Sequence, residues 1–124
     1  MSLLLDTHVV LWWLTDDPSL GDDIKDRLDH EADVYVSAAT IWEVAIKQAM
    51  GKLSEPSDLP ELIRDCGFRA LPITVDHAIA ADRLPLLHRD PFDRMLIAQA
   101  DSEGLTLVTR DAAIQKYDVA LLAV

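Results

Sequence analysis

Apolar residues in this chain fall in short runs, separated by polar stretches that carry most of the Gly and Pro. The Leu run, Leu3 to Leu5, is too short for a helix, so it reads as a buried strand. It ends at Asp6, and a second run, Val9 to Leu14, reads as the helix that follows. Thr15-Asp16-Asp17-Pro18-Ser19 is a turn. Asp22 to Glu31 is a polar amphipathic helix with Ile24 and Leu28 inward, and Val34-Tyr35-Val36 is a second strand. Ser37 caps a helix over Ala38–Met50, closed by Gly51. Lys52 to Pro60 is a loop, and Leu59 to Cys66 is a short helix ending at Gly67. Phe68 to Thr74 holds a weak strand at Ala70–Ile73, which Pro72 restricts to a sheet edge. Thr74 caps a helix from Val75 to about Arg83, and Leu84 to Arg89 connects it to the next. Asp90-Pro91 starts a helix that runs to about Glu103 and stops at Gly104. Leu105–Val108 is a strand, Thr109–Asp111 a turn, Ala112–Lys116 a short helix and Val119–Val124 a last strand. Strands alternating with helices predict a parallel sheet covered on both faces, an α/β fold.

Helical faces then single out two acids. At about 100° per residue, Ala39, Trp42, Ile46 and Met50 make one apolar stripe, with Glu43 in or beside it and Thr40 and Gln48 away from it. On the later helix Leu96, Ile97 and Ala100 make the inner stripe, with Asp93 at its centre and Arg94 and Asp101 to the side. A carboxylate facing a core is costly unless it is paired, hydrogen-bonded or bound to metal. Each acid also has a local explanation: a pair with Lys47 one turn on for Glu43, and a pair with Arg89 or Arg94 or a helix-start position for Asp93. Asp6 and Asp111 each follow a strand. If those strands are parallel neighbours, both lie at the sheet edge where α/β folds form their crevice. Asp111 also suits a helix N-cap. Thr7 and Thr109 share that capping option, and each otherwise offers a hydroxyl to phosphate or water.

Composition narrows the setting. With 124 residues, half of them hydrophobic, the chain suffices for one compact domain and a sizeable core. The lone cysteine, Cys66, excludes an internal disulfide and is expected as a small, at least half-buried side chain. No export signal or membrane-length apolar run is present, so a soluble cytoplasmic protein is expected. The net charge of −11, from 22 acidic and 11 basic residues, argues against a protein that coats nucleic-acid phosphates. An enzyme that meets phosphate through a cation stays open.

Three or four converging carboxylates require a counter-charge. All-oxygen ligands suit Mg²⁺ or Mn²⁺, which can activate water for phosphodiester cleavage. The histidines at positions 8, 30, 77 and 88 show no paired spacing for zinc. A Gly-rich phosphate loop and a nucleophile elbow are both absent from the sequence.

Four stretches together resemble a known family: Leu4-Leu5-Asp6-Thr7-His8, Ser37 to Glu43, Asp90-Pro91-Phe92-Asp93-Arg94 on to Ala100, and Leu107-Val108-Thr109-Arg110-Asp111. In this order the chain resembles a PIN-domain ribonuclease, specifically a VapC-type toxin of a toxin–antitoxin pair. The resemblance spans 1–124 and implies a single PIN domain, a three-layer α/β/α structure with a central, mainly parallel sheet. It implies an endoribonuclease holding Mg²⁺ or Mn²⁺ on Asp6, Glu43, Asp93 and Asp111, with Asp90 as a cap, a metal neighbour or both. It further implies a homodimer, a VapB-type antitoxin partner and an RNA substrate such as tRNA or ribosomal RNA. Lys47, Arg89, Arg94 and Arg110, with Thr7 and Thr109, are candidates to meet that RNA; pairing with the acids is the alternative for the cations.

Two rival readings remain. One is a non-catalytic PIN-like module whose acids face a basic partner. The other is a phosphatase of the haloacid dehalogenase type with Asp6 as nucleophile, although that family's second acid would fall where His8 stands.

Overall fold

The computed structural model describes residues 1–54 and 56–124; Glu55, inside the expected Lys52–Pro60 loop, lies outside the described residues. Among the described residues, five strands form one sheet: β1 (Ser2–Leu5), β2 (Asp33–Ser37), β3 (Arg69–Leu71), β4 (Thr106–Thr109) and β5 (Leu121–Ala123). Their spatial order is β3-β2-β1-β4-β5, and every neighbouring pair is parallel. The helices are α1 (Thr7–Leu14), α2 (Asp22–His30), α3 (Ala38–Ala49), α4 (Leu59–Asp65), α5 (Val75–Arg83) and α6 (Pro91–Glu103). Among the described residues, no helix is long and apolar enough to cross a membrane.

The Leu run is buried because its side chains alternate between two cores. Leu3 and Leu5 join Val9, Val10, Leu28, Val34, Val36 and Val44 on one face of the sheet. Leu4 joins Leu96, Ile97, Ala100 and Leu107 on the other. A strand covered on both faces has no polar positions to spare, which is why the run is continuous. This is the three-layer α/β/α arrangement with a parallel centre. β1 pairs with β2 on one side and β4 on the other, so the sheet's direction of growth reverses between β1 and β4. Open α/β sheets bind their ligands at such a point.

Helix ends follow local chemistry. Ser37 Oγ accepts from Ala39 N at the start of α3. Asp90 caps α6, with Pro91 at its first turn, and Gly104 closes it at φ 66°. α1 starts earlier than the apolar run suggests, at Thr7, because Asp6 accepts from the His8 N–H and caps it. The expected short helix at 112–116 is a 3-10 turn, Ile114–Lys116, and the weak strand near Pro72 is β3, at the sheet edge.

Two expectations are corrected. Trp42 and Met50 are exposed (63% and 59%), and the buried face of α3 is Ala39, Thr40, Glu43 and Val44. The larger side chains do not face the sheet because α3 also packs on α1 and α6, where small and polar residues admit close approach. Trp42 instead lies edge-on to Phe92, with centroids 5.5 Å apart. Cys66 is exposed, because Ile63 and Phe68 take the inward positions on either side of it.

Candidate active site

β1 and β4 run side by side, with Leu5 opposite Val108. Asp6 and Thr109 therefore leave the sheet at one edge. Asp6 is nearly buried, and its two oxygens are held separately: Oδ1 accepts from His8 N at 3.2 Å and Oδ2 from the Thr109 hydroxyl at 2.5 Å. Burial pushes the Asp6 carboxyl above its ordinary range, opposed by the Thr109 and His8 hydrogen bonds and the His8 charge, while Asp111 adds repulsion.

Glu43 reaches the same edge from α3, buried at 6% exposure. Its Oε1 accepts from the Thr7 hydroxyl at 2.8 Å, and its Oε2 pairs with Lys47 Nζ at 3.0 Å. Thr40, on the same buried face, lies 3.0 Å from Thr7 through the two hydroxyl oxygens.

Asp93 comes from the first turn of α6. Its carboxyl is pushed up to about 7 by burial first, then by the charges of Asp90 and Asp6, with Glu43 adding to the rise. His88 opposes the rise. The charges of Asp6 and Glu43 act on Asp93, and that of Asp111 acts on Asp6, so the four acids share one field. Asp90 turns Oδ1 back to its own helix, accepting from Phe92 N at 2.8 Å and Asp93 N at 3.2 Å. Asp111 divides its oxygens: Oδ1 accepts from Ala113 N at 2.7 Å, and Oδ2 faces His88 Nε2 at 3.4 Å.

His88 was not singled out by its spacing. Its Nε2 lies 2.8 Å from Asp93 Oδ2, and the ligand atoms of His88, Asp93 and Asp111 lie within 4.8 Å of one another. That nitrogen is buried yet lacks a well-directed hydrogen bond, so the contact with Asp93 is electrostatic. Asp90 N donates to the other ring nitrogen, Nδ1, at 3.3 Å. His88 lies on the connection before α6, where no periodicity predicts facing. Its one sequence signal is that it stands two residues before the Asp90 cap.

The remaining polar candidates have protein partners. Thr7 and Thr109 are buried, and Thr109 Oγ1 also accepts from Asp111 N at 3.0 Å. Arg94 gathers the 81–88 segment, donating to the carbonyls of Ala81 (2.8 Å), Leu84 (3.1 Å), Pro85 (3.1 Å) and His88 (3.4 Å). Arg110 donates through Nε to Val124 O at 2.8 Å and through Nη2 to Ser19 O. Arg89 is exposed.

The donor set fits a divalent cation. Burial and neighbouring acids raise Asp6 and Asp93, and among the described residues the lysine at the site, Lys47, is paired with Glu43. Hard oxygens suit Mg²⁺ or Mn²⁺, and the nearby His88 nitrogen suits Mn²⁺ better than Mg²⁺.

Known proteins share this plan. A family model described as PIN domain matches residues 3–120. The chain is 31% identical to Ribonuclease VapC22 of Mycobacterium tuberculosis, an alignment covering 94% of this chain and 92% of that one. A chain in the crystal structure of VapBC2 from Rickettsia felis, bound to a DNA fragment from their promoter, is similar at a TM-score of 0.75 and 14% identity. That likeness covers 99% of this chain and 98% of the other, and at such identity it speaks for the fold alone. FitAcB from Neisseria gonorrhoeae is similar at a TM-score of 0.64 and 27% identity, over 97% of this chain and 96% of that one. The match to the PIN model over nearly the whole chain and the identity to VapC22 together show that the chain belongs to the PIN domain family.

Proposed function

We propose that this protein is a Mg²⁺- or Mn²⁺-dependent endoribonuclease, the toxin of a toxin–antitoxin pair, which cuts structured RNA of the tRNA or ribosomal class. The observation that carries this reading is the convergence of Asp6, Glu43, Asp93 and Asp111 where the sheet reverses direction between β1 and β4. Asp6, Glu43, Asp93 and Asp111 hold the metal, with Asp90 serving the helix cap. When bound, a divalent cation supplies the missing counter-charge and makes a nucleophile from water at neutral pH. Thr109 and Thr7 orient Asp6 and Glu43 through their hydroxyls. Arg94 holds the connection that carries His88. Lys47, Arg89 and Arg110 are the cations that meet RNA phosphates, which an acidic chain otherwise repels.

The 31% identity to Ribonuclease VapC22 supports the reading as a ribonuclease toxin, with a VapB-type antitoxin as partner. A homodimer acting in the cytoplasm completes the reading. Cleavage of total RNA by the purified protein with Mg²⁺ or Mn²⁺ tests it. Asp6→Asn and Asp93→Asn are expected to lose activity by orders of magnitude, and equal cleavage by these variants defeats the metal site. In cells, expression of the chain alone should arrest growth and co-expression of its antitoxin should relieve the arrest. Unimpaired growth with abundant active protein defeats the toxin role. Sequencing of RNA 5′ ends after brief induction identifies the substrate.

A further inference from the structure

A cavity of about 260 Å³ adjoins the acid cluster, lined by His8, Trp12 and Arg110 together with Asp6 and Asp111. Its non-acidic wall is made of planar groups. The Arg110 guanidinium carbon sits 4.6 Å from the Trp12 ring centroid. The His8 ring lies on the same indole at 5.9 Å, tilted by 40°. Trp12 is braced from below, since it packs against the core that holds Leu3, Leu5 and Val9. Arg110 is braced by its bonds to Val124 O and Ser19 O, so its plane is already oriented. His8 is exposed and free to meet a ligand face-on.

The chemistry of this wall selects its ligand. A flat, uncharged π-system is welcome, because imidazole and guanidinium planes both stack on aromatic rings. The volume is below the usual range for drug-sized pockets, which suits a single ring system. Asp6 and Asp111 belong both to this cavity and to the acid cluster, so whatever fills it lies next to the reacting phosphate.

We propose that the His8–Trp12–Arg110 cavity is a nucleobase subsite, which holds the base of a nucleotide flanking the cut phosphate and sets which nucleotide is preferred there. This rests on reading the acid cluster as an RNA-cleaving site.

The test has two arms. In the first, wild type, His8→Ala and Trp12→Leu cleave a pool of random-sequence single-stranded RNA with Mn²⁺, and the product ends are sequenced. Wild type should prefer particular bases at one position beside the cut. Both variants should flatten that preference and raise KM roughly tenfold or more, the loss expected from one base stack, with a smaller change in kcat. In the second arm, adenosine, cytidine, guanosine and uridine 5′-monophosphates are titrated into Asp93→Asn protein while the Trp12 indole and His8 ring signals are followed by NMR. At least one nucleotide should shift both signals, and ribose 5-phosphate should not.

Unchanged base preference and KM in both variants overturn the subsite, as do equal shifts from ribose 5-phosphate. His8 is exposed, so His8→Ala keeps the test valid if Trp12→Leu fails to fold. Base-dependent shifts in a protein that cleaves no RNA support the cavity while defeating the ribonuclease reading, so the two failures are distinguishable.

Discussion

The Thr109 hydroxyl donates to Asp6 Oδ2 at 2.5 Å across 103 positions of sequence, joining the ends of two parallel strands. Thr109 Oγ1 also accepts from Asp111 N, so one buried threonine holds two of the four acids. Thr109→Val keeps the shape and removes the donor. It should lower cleavage by roughly 10- to 100-fold, as loss of a partner behind a metal ligand commonly does. Thr109→Ser should retain most activity, and steady-state rates of the two variants, with circular dichroism to show that both fold, check this.

The buried carboxyl of Asp93 makes stability depend on pH in the opposite sense to a salt-bridged acid. Its folded pKa is raised to about 7 from an ordinary 3.8, so the folded chain binds more protons than the unfolded chain between those values. In chelator, stability should therefore fall as pH rises from about 4 toward 7, and level off above. Asp93→Asn should weaken this dependence and raise the melting temperature at pH 8, on the order of 4 °C for each 1 kcal/mol recovered. His88 holds the Asp93 pKa down, so His88→Ala should move the decline to higher pH. Thermal melts from pH 5 to 9 measure all three.

Much of the fold is legible in the sequence because burial on both faces leaves a simple signature. Leu3-Leu4-Leu5 has no polar position, and Leu107-Val108 repeats this beside it. Asp6 and Asp111 are legible because they end or follow such runs. Asp93 is legible because it interrupts the inner stripe of α6. The face of α3 is misread, although Glu43 itself is buried: Trp42 and Met50 look like core residues by type, and only the packing of α1 and α6 against α3 makes Thr40 and Glu43 the inner ones. His88 is hardly legible, since its position depends on how Arg94 gathers the 81–88 segment from a different element.

That gathering makes Arg94 a stability determinant. Its guanidinium spans four carbonyls in two directions and also reaches Tyr117 Oη at 3.4 Å. Arg94→Lys keeps the charge but not the planar fork, so several of these acceptors lose their donor. The variant should lose about 0.5–1.5 kcal/mol, the net range for a hydrogen bond between part-buried groups. Urea unfolding should show a lower midpoint at unchanged slope, and hydrogen exchange should increase first at the amides of 84–88.

Metal binding is measurable apart from catalysis. A ligand that binds only the folded chain at 100 times its dissociation constant stabilises it by about 2.7 kcal/mol. Mn²⁺ at saturation should therefore raise the melting temperature of the wild-type protein by roughly 10 °C over a chelated sample. The gain should be larger at pH 8 than at pH 6, because a cation must displace the proton that the raised Asp93 carboxyl retains at the lower pH. Asp6→Asn removes a carboxylate charge that both Asp93 and the cation feel, so it should lose most of the Mn²⁺ gain while being no less stable in chelator. Lys47→Met frees Glu43 Oε2 of its cationic partner, and should strengthen the response to Mn²⁺ rather than weaken it. A wild-type melting temperature that ignores Mn²⁺ at every pH would refute the assignment of the four acids to a cation, whatever the enzyme's activity.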